Sequence, residues 1–255
     1  MNLVKFFLVV ALLGPGAINA APNADAILAA SDAIRNPGRS FSVTVTLTDF
    51  QKGRQVDAST LQSYSRLQSS GQYSSLVRFV LPSRDSGKLM LKNGNDMWFY
   101  DPTNKASVRL SPQQRLLGQA SNGDVATVNL GKDYKPTLVG EEEVQNGERQ
   151  MRKSYKLALE AVSPDVTYAS IEMWVDIENN RPIKARFFAE SSRLLKTVYY
   201  RKFQPQIGAE RPTESVIIDG LDPQSVTLMR FSDYAARNIP ETWMQRDFLP
   251  RFQPE

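Results

Sequence analysis

The chain contains no cysteine and no histidine among its 255 residues. Disulfides, thiol nucleophiles, Cys/His zinc sites, Ser-His-Asp triads and histidine-ligated haem each need one of these residues, so all are excluded. No Gly-x-Ser-x-Gly elbow, phosphate-binding loop or calcium-loop pattern is present either. No cofactor and no metal is therefore expected. Long apolar runs are also missing. The most apolar stretch, Phe6 to Leu13, is closed by Gly14-Pro15-Gly16 and falls well short of the ~20 residues that cross a bilayer. Runs of one charge sign are lacking as well: 31 Lys and Arg are interspersed with 27 Asp and Glu, for a formal net charge of +4. That pattern describes a solvated surface rather than a nucleic-acid stripe, and no nucleic-acid partner is expected.

What is present begins with an export signal. Lys5 supplies the positive region, Phe6 to Leu13 the apolar region, and Ala17-Ile18-Asn19-Ala20 a small-residue cleavage site. Residues 1–20 are expected to be removed near Ala20. A bacterial lipoprotein needs a cysteine just after that point, so the mature protein is expected to be soluble; a monomer is expected as well.

The remainder, 21–255, carries no Gly/Ser/Pro linker and is expected to form one domain. A first helix is predicted from Asn23 as cap, Ile27, Ala30 and Ile34 at helical spacing, and Asn36-Pro37-Gly38 as stop. Sheet follows. Phe41, Val43, Val45 and Leu47 alternate with Ser42, Thr44, Thr46 and Thr48, the period of two that separates an apolar from a polar face. Similar alternations cover Tyr73 to Leu81, Met151 to Leu159, Thr167 to Ile177, Ile183 to Ala189 and Val198 to Tyr200, with Val226 and Leu228 opening the last strand. Asn93-Gly94 and Asn146-Gly147 suit hairpin turns with positive φ, and Asn179-Asn180-Arg181-Pro182 separates two strands. These links imply about ten to twelve antiparallel strands in one large curved sheet. Ser111 to Asp133 breaks the rhythm. Pro112 is placed to open a helix over Gln113 to Ala120, and Asp124 to Leu130 has helical character too.

Three blocks within this frame are distinctive: Arg84-Asp85-Ser86-Gly87-Lys88, Asp96-Met97-Trp98-Phe99-Tyr100-Asp101-Pro102, and the run from Ser111 through Leu116-Leu117-Gly118 to Ala126. With Ile171-Glu172-Met173-Trp174-Val175-Asp176, Arg181-Pro182-Ile183-Lys184-Ala185, Leu194-Leu195-Lys196-Thr197 and Phe231-Ser232-Asp233-Tyr234, the chain resembles the LolA-like outer-membrane lipoprotein-sorting proteins of Gram-negative bacteria. The resemblance implies a mainly β fold, a half-open antiparallel barrel around an apolar cavity covered by short helices. It also implies a periplasmic carrier of lipid or acylated lipoprotein, with an inner-membrane lipid-exporting permease among its partners.

A carrier needs little polar chemistry, because each acyl methylene taken out of water contributes about 0.8 kcal/mol. The expected cavity lining is Val43, Val45, Leu47, Val77, Phe79, Ile171, Met173, Val175 and Phe187; the alternative for each is a packed core residue. Trp98 and Tyr100 are further candidates for acyl contact, although strand alternation forbids Trp98, Phe99 and Tyr100 from all facing one cavity. Leu116, Leu117 and Val125 are expected to form a mobile lid, or else a permanent seal. Arg84, Asp85 and Lys88 read as a charged turn. Trp243, Met244, Phe248 and Leu249 read as a short amphipathic segment packed on the body. Two rival functions share the sequence: a lipid- or lipoprotein-sensing regulator of the same fold, and a carboxylate-dependent hydrolase using Asp96 and Asp101 or Glu141-Glu142-Glu143. Nothing fixes the geometry of those carboxylates, and no catalytic residue is expected.

Overall fold

Helix α1 (Ala24–Arg35) opens a computed structural model that describes residues 22–253. The predicted signal peptide, 1–20, lies outside the described residues. Asn23 caps α1: its side-chain oxygen accepts from Asp25 N at 2.8 Å and from Ala26 N at 3.3 Å, satisfying two otherwise orphaned amides. The buried stripe is Ile27, Leu28, Ser31 and Asp32, rotated from the Ile27, Ala30, Ile34 line of the sequence pattern.

Fifteen strands follow: β1 (Phe41–Gln51), β2 (Arg54–Leu67), β3 (Tyr73–Leu81), β4 (Leu89–Asn93), β5 (Asp96–Asp101), β6 (Ala106–Arg109), β7 (Arg115–Leu117), β8 (Ala120–Ser121), β9 (Tyr134–Gln145), β10 (Met151–Ala161), β11 (Ser170–Asp176), β12 (Pro182–Phe188), β13 (Leu194–Gln206), β14 (Ala209–Asp219) and β15 (Ser225–Ala236). Thirteen of them form one antiparallel sheet in the order β6-β5-β4-β3-β2-β1-β15-β14-β13-β12-β11-β10-β9. Neighbouring strands are consecutive in the chain except at the centre, where β1 pairs with β15 and joins its two ends. Strands β6 and β9 are the free edges, so the sheet does not close on itself. This is the half-open, mainly β architecture expected from the resemblance.

Each strand sends alternate side chains to the two faces, and the two faces are covered differently. The inner face carries Phe41, Val43, Val45 and Leu47 of β1, Leu61 of β2, Val77 of β3, Met97 of β5, Leu157 and Leu159 of β10, and Ile171, Met173 and Val175 of β11. It is covered by α1 and by the segment between β6 and β9, here called the strap. The outer face of β2 to β5 carries Tyr64, Leu76, Leu89, Leu91 and Tyr100 beneath Ile239, Trp243, Met244 and Leu249 of the C-terminal segment. That segment is two 3-10 turns, Glu241–Met244 and Arg246–Arg251.

The strap departs from expectation. The helix predicted over Gln113 to Ala120 is the hairpin β7–β8, a separate two-stranded sheet. Asp124 to Leu130 is no continuous helix; a 3-10 turn (Asn122–Val125) leads through extended backbone to helix α2 (Leu130–Asp133). A helix of eight residues is marginal alone, and Gly118 adopts φ +54, the left-handed conformation that suits a tight turn. One turn assignment also changes: in the link between β9 and β10 the positive φ belongs to Arg149 rather than Gly147.

Candidate functional site

A cavity of about 140 Å³ lies between the inner face, α1 and the strap. The sheet side is built by period-two placement. Val43 and Val45 come from β1, Ile171 from β11, Phe187 from β12, Val198 and Tyr200 from β13, Ile217 from β14, and Met229 and Phe231 from β15. The opposite wall is strap, from Gly123 to Val128 with Leu130, and Arg35 and Asn36 at the end of α1.

The sequence candidates separate into three groups. Val43, Val45, Ile171, Phe187 and Val125 stand in the cavity wall. Leu47, Val77, Phe79, Met173 and Val175 belong to the same inner cluster but pack around the cavity rather than on its surface. Leu116 and Leu117, half-buried, rest on that cluster from the hairpin. Trp98 and Tyr100 require correction. They point to the outer face, where Tyr100 is buried under the C-terminal segment and Trp98 lies 4.3 Å beneath the Arg246 guanidinium. The register of β5 places Met97 and Phe99 on the inner side instead, so neither Trp98 nor Tyr100 reaches the cavity.

Polar bonds clamp the strap. Asp124 Oδ2 accepts from Ser121 N at 2.7 Å, pairs with Lys196 Nζ of β13, and its Oδ1 accepts from Tyr168 Oη at 2.8 Å. Burial lowers the Lys196 ammonium and raises the Tyr168 phenol well above its ordinary value. Gln119 N donates to Thr227 Oγ1 at 2.7 Å, and that hydroxyl donates to Asp49 Oδ1 at 3.0 Å. Thr127 meets Ser65 Oγ at 2.7 Å through its hydroxyl and Ser75 Oγ at 3.1 Å through its amide. At the far end, Asn36 Nδ2 donates to Val128 O at 2.9 Å and Gly131 N to Asp32 Oδ2 at 2.9 Å. The strap is thus anchored at both ends and in its middle, while its apolar side chains point into the cavity.

Sequence reasoning missed the contribution of β13 to β15 to the wall. Val198 and Tyr200 were visible as a strand, and Val226 and Leu228 marked β15, but its buried residues are Thr227 and Met229, with Val226 and Leu228 only partly so. Ser63, also in the wall, belongs to the polar strand β2, which has no alternation to betray it. Among the described residues no group of three or more Asp and Glu is placed to hold a metal ion. No helix among them is long and apolar enough to cross a membrane.

Comparison with known proteins places this geometry. Residues 71–251 match the model of a family described as "uncharacterized protein". Among curated proteins no relative matches. A solved LolA superfamily protein from Nitrosomonas europaea is 33% identical, superposes with a TM-score of 0.80, and is covered over 100% of its length by 89% of this chain. An outer membrane lipoprotein-sorting protein domain from Vibrio parahaemolyticus has a TM-score of 0.74 at 16% identity, over 89% of this chain and 98% of its own. A DUF1329 family protein from Desulfovibrio piger also reaches 0.74, at 18% identity over 89% and 97%. The last two share the fold.

Proposed function

The chain belongs to the LolA superfamily, and on that premise we propose that it is a periplasmic carrier, without catalytic activity, that shelters lipid or lipoprotein acyl chains beneath the strap. It would deliver them towards the outer membrane, with a lipid-exporting permease of the inner membrane among its partners. One observation carries the reading: a cavity of aliphatic and aromatic side chains is roofed by a separate chain segment rather than by the sheet itself. The lipoprotein-sorting assignment of the Vibrio parahaemolyticus domain agrees with it.

The size of the cavity supports a carrier that opens to load. About 140 Å³ is comparable with engineered apolar cavities that hold one benzene, so a whole acyl chain enters only when the strap lifts. Lifting exposes the apolar side of the strap and breaks its polar bonds, and the entering methylenes offset that cost at about 0.8 kcal/mol each. Loading and opening are coupled in this scheme.

The test is native mass spectrometry, with organic extraction, of protein released from periplasm without detergent, for the wild type, Val45→Asp and Leu117→Asp. Lipid or acylated protein that accompanies the wild type and is depleted in folded variants supports the carrier. A ligand-free wild type that instead retains a stoichiometric protein partner overturns it in favour of a sensor.

A further inference from the structure

One end of the cavity is not apolar. Arg35, in the last turn of α1, stands in the wall. Among the described residues its guanidinium has one hydrogen-bond partner: Nη1 donates to Asp32 Oδ1 at 2.7 Å. Asp32 is 3% exposed, and its other oxygen is taken by Gly131 N at 2.9 Å. A guanidinium presents five N–H donors in a planar fork, so most of this fork is uncommitted. Tyr200, 9% exposed, and Tyr234 share the wall, and neither phenol oxygen has a hydrogen-bond partner among the described residues. Burial pushes both phenols upward, Tyr234 to about 12, while Arg35 pulls Tyr200 down and Arg211 and then Arg35 pull Tyr234 down. Ser63, 1% exposed in the same wall, also has an unpartnered hydroxyl.

The other charged groups around the cavity already have partners. Behind Arg35 lies Arg211, 3% exposed, whose Nη1 donates to the carbonyls of Ala33 and Ile34, both at 2.9 Å, and whose Nε donates to Gln206 O at 3.1 Å. No carboxylate pairs with Arg211 among the described residues. Asp133, also in the wall, accepts from Gln72 Nε2 at 2.8 Å and is offset by the field of Lys92. The two carboxylates of the wall, Asp124 and Asp133, are thus offset by Lys196 and Lys92, which leaves Arg35, 17% exposed and bonded once to Asp32, as the cation that stands in the wall. An anion entering the cavity would take up the uncommitted donors of that guanidinium.

Resting on the carrier reading above, we propose that Arg35, Tyr200 and Tyr234 form a head-group site selecting amphiphiles that carry one anionic group, a carboxylate or a phosphate, at the end of an alkyl chain. The planar fork of Arg35 matches either anion through paired hydrogen bonds. The two phenols donate to the remaining oxygens. The alkyl chain then runs along Val43, Val45, Ile171 and Phe187. A neutral head of the same length gains no charge-assisted bond and leaves the fork unpaired, which is the source of selectivity.

The test is displacement of an environment-sensitive apolar dye from the mature protein by palmitate, hexadecyl phosphate and hexadecanol, with inorganic phosphate as competitor. Palmitate and hexadecyl phosphate should bind about tenfold or more tightly than hexadecanol, and inorganic phosphate should not compete. Arg35→Gln should bring the anions to within about twofold of hexadecanol, and Tyr200→Phe should weaken the two anions a few-fold relative to the alcohol. Should Arg35→Gln fail to fold by circular dichroism, Arg35→Lys, which keeps the charge and removes the fork, carries the same comparison with Tyr200→Phe. Equal binding of acid and alcohol by the wild type, a preference that survives loss of the fork, or competition by inorganic phosphate overturns the head-group site and leaves the carrier standing. Failure to bind any of the three amphiphiles overturns both.

Discussion

Lys196 of β13 and Asp124 of the strap form a buried ion pair, their side chains 4% and 15% exposed. Because Asp124 also accepts from Tyr168 Oη and Ser121 N, this one carboxylate joins the strap, the sheet and the loop before β11. It ties the strap to the sheet beside the cavity.

Replacing one member leaves the other charge buried and uncompensated. Asp124→Asn is expected to lower stability by about 3–5 kcal/mol in urea unfolding and to speed amide hydrogen exchange from residue 119 to 128. The double variant Asp124→Asn/Lys196→Met should recover much of the loss, since removing both charges removes the desolvation cost. Unchanged exchange in the single variant would mean that apolar contacts alone hold the strap.

The hairpin turn is seated just as tightly. Gly118 has φ +54, and a Cβ there would overlap the Asp49 carboxylate and the Thr227 hydroxyl. Gly118→Ala should therefore combine backbone strain of about 1–3 kcal/mol with displacement of the hairpin. Urea unfolding would read the loss, and faster exchange at Gln119 would locate it. A variant as stable as the wild type would show that the hairpin can dock elsewhere.

On the outer face, Trp243 packs edge-on against Tyr64 and Phe252, with ring centroids 5.4 and 4.8 Å away. Trp243→Ala is expected to cost about 3–5 kcal/mol in thermal or chemical unfolding. Lipid binding should be unaffected below the melting temperature, because the C-terminal segment and the cavity lie on opposite faces. Loss of binding in the folded variant would connect the two faces.

Glu214, 1% exposed, sits among Arg230, Lys202 and Arg201, with Arg230 Nε at 2.8 Å and Lys202 Nζ at 3.1 Å. Burial alone would raise its carboxyl, but hydrogen bonds from these three cations prevail and hold it below the ordinary 4.5. The folded chain then takes up this proton less readily than the unfolded chain, so the contribution is complete above 4.5 and is lost as pH falls through the folded value. Glu214→Gln should be less stable than the wild type at pH 7 and should show a flatter decline between about pH 5 and 3. Parallel declines in the two proteins would show that Glu214 contributes nothing to acid stability.

Local patterning alone made α1 legible through its Asn23 cap, and made β1 legible through the Phe41 to Leu47 alternation. Both signals act over a few residues, and so does the positive φ at Gly94 and Asn180 that turns two of the hairpins. Strand β2 was not legible. Its inward positions include Leu61 but also Ser63 and Ser65, and it is held by pairing with β1 and β3 rather than by burial of its own large side chains.

The face of each aromatic in β5 was undecided for a related reason. Alternation says that Trp98 and Tyr100 share a side, but only the C-terminal segment, more than a hundred residues away, makes that side the outer one. The strap shows the limit most clearly. Its residues favour a helix locally, yet Gln119 N is held by Thr227 and the turn at Gly118 lies against Asp49 and Thr227, groups 69 and 109 residues from Gly118. The sequence by itself determined an antiparallel β protein without thiol or imidazole chemistry and with an apolar inner face. Tertiary structure decided which side chains line the cavity, and that Arg35 looks into it, because both depend on contacts between segments that no local pattern relates.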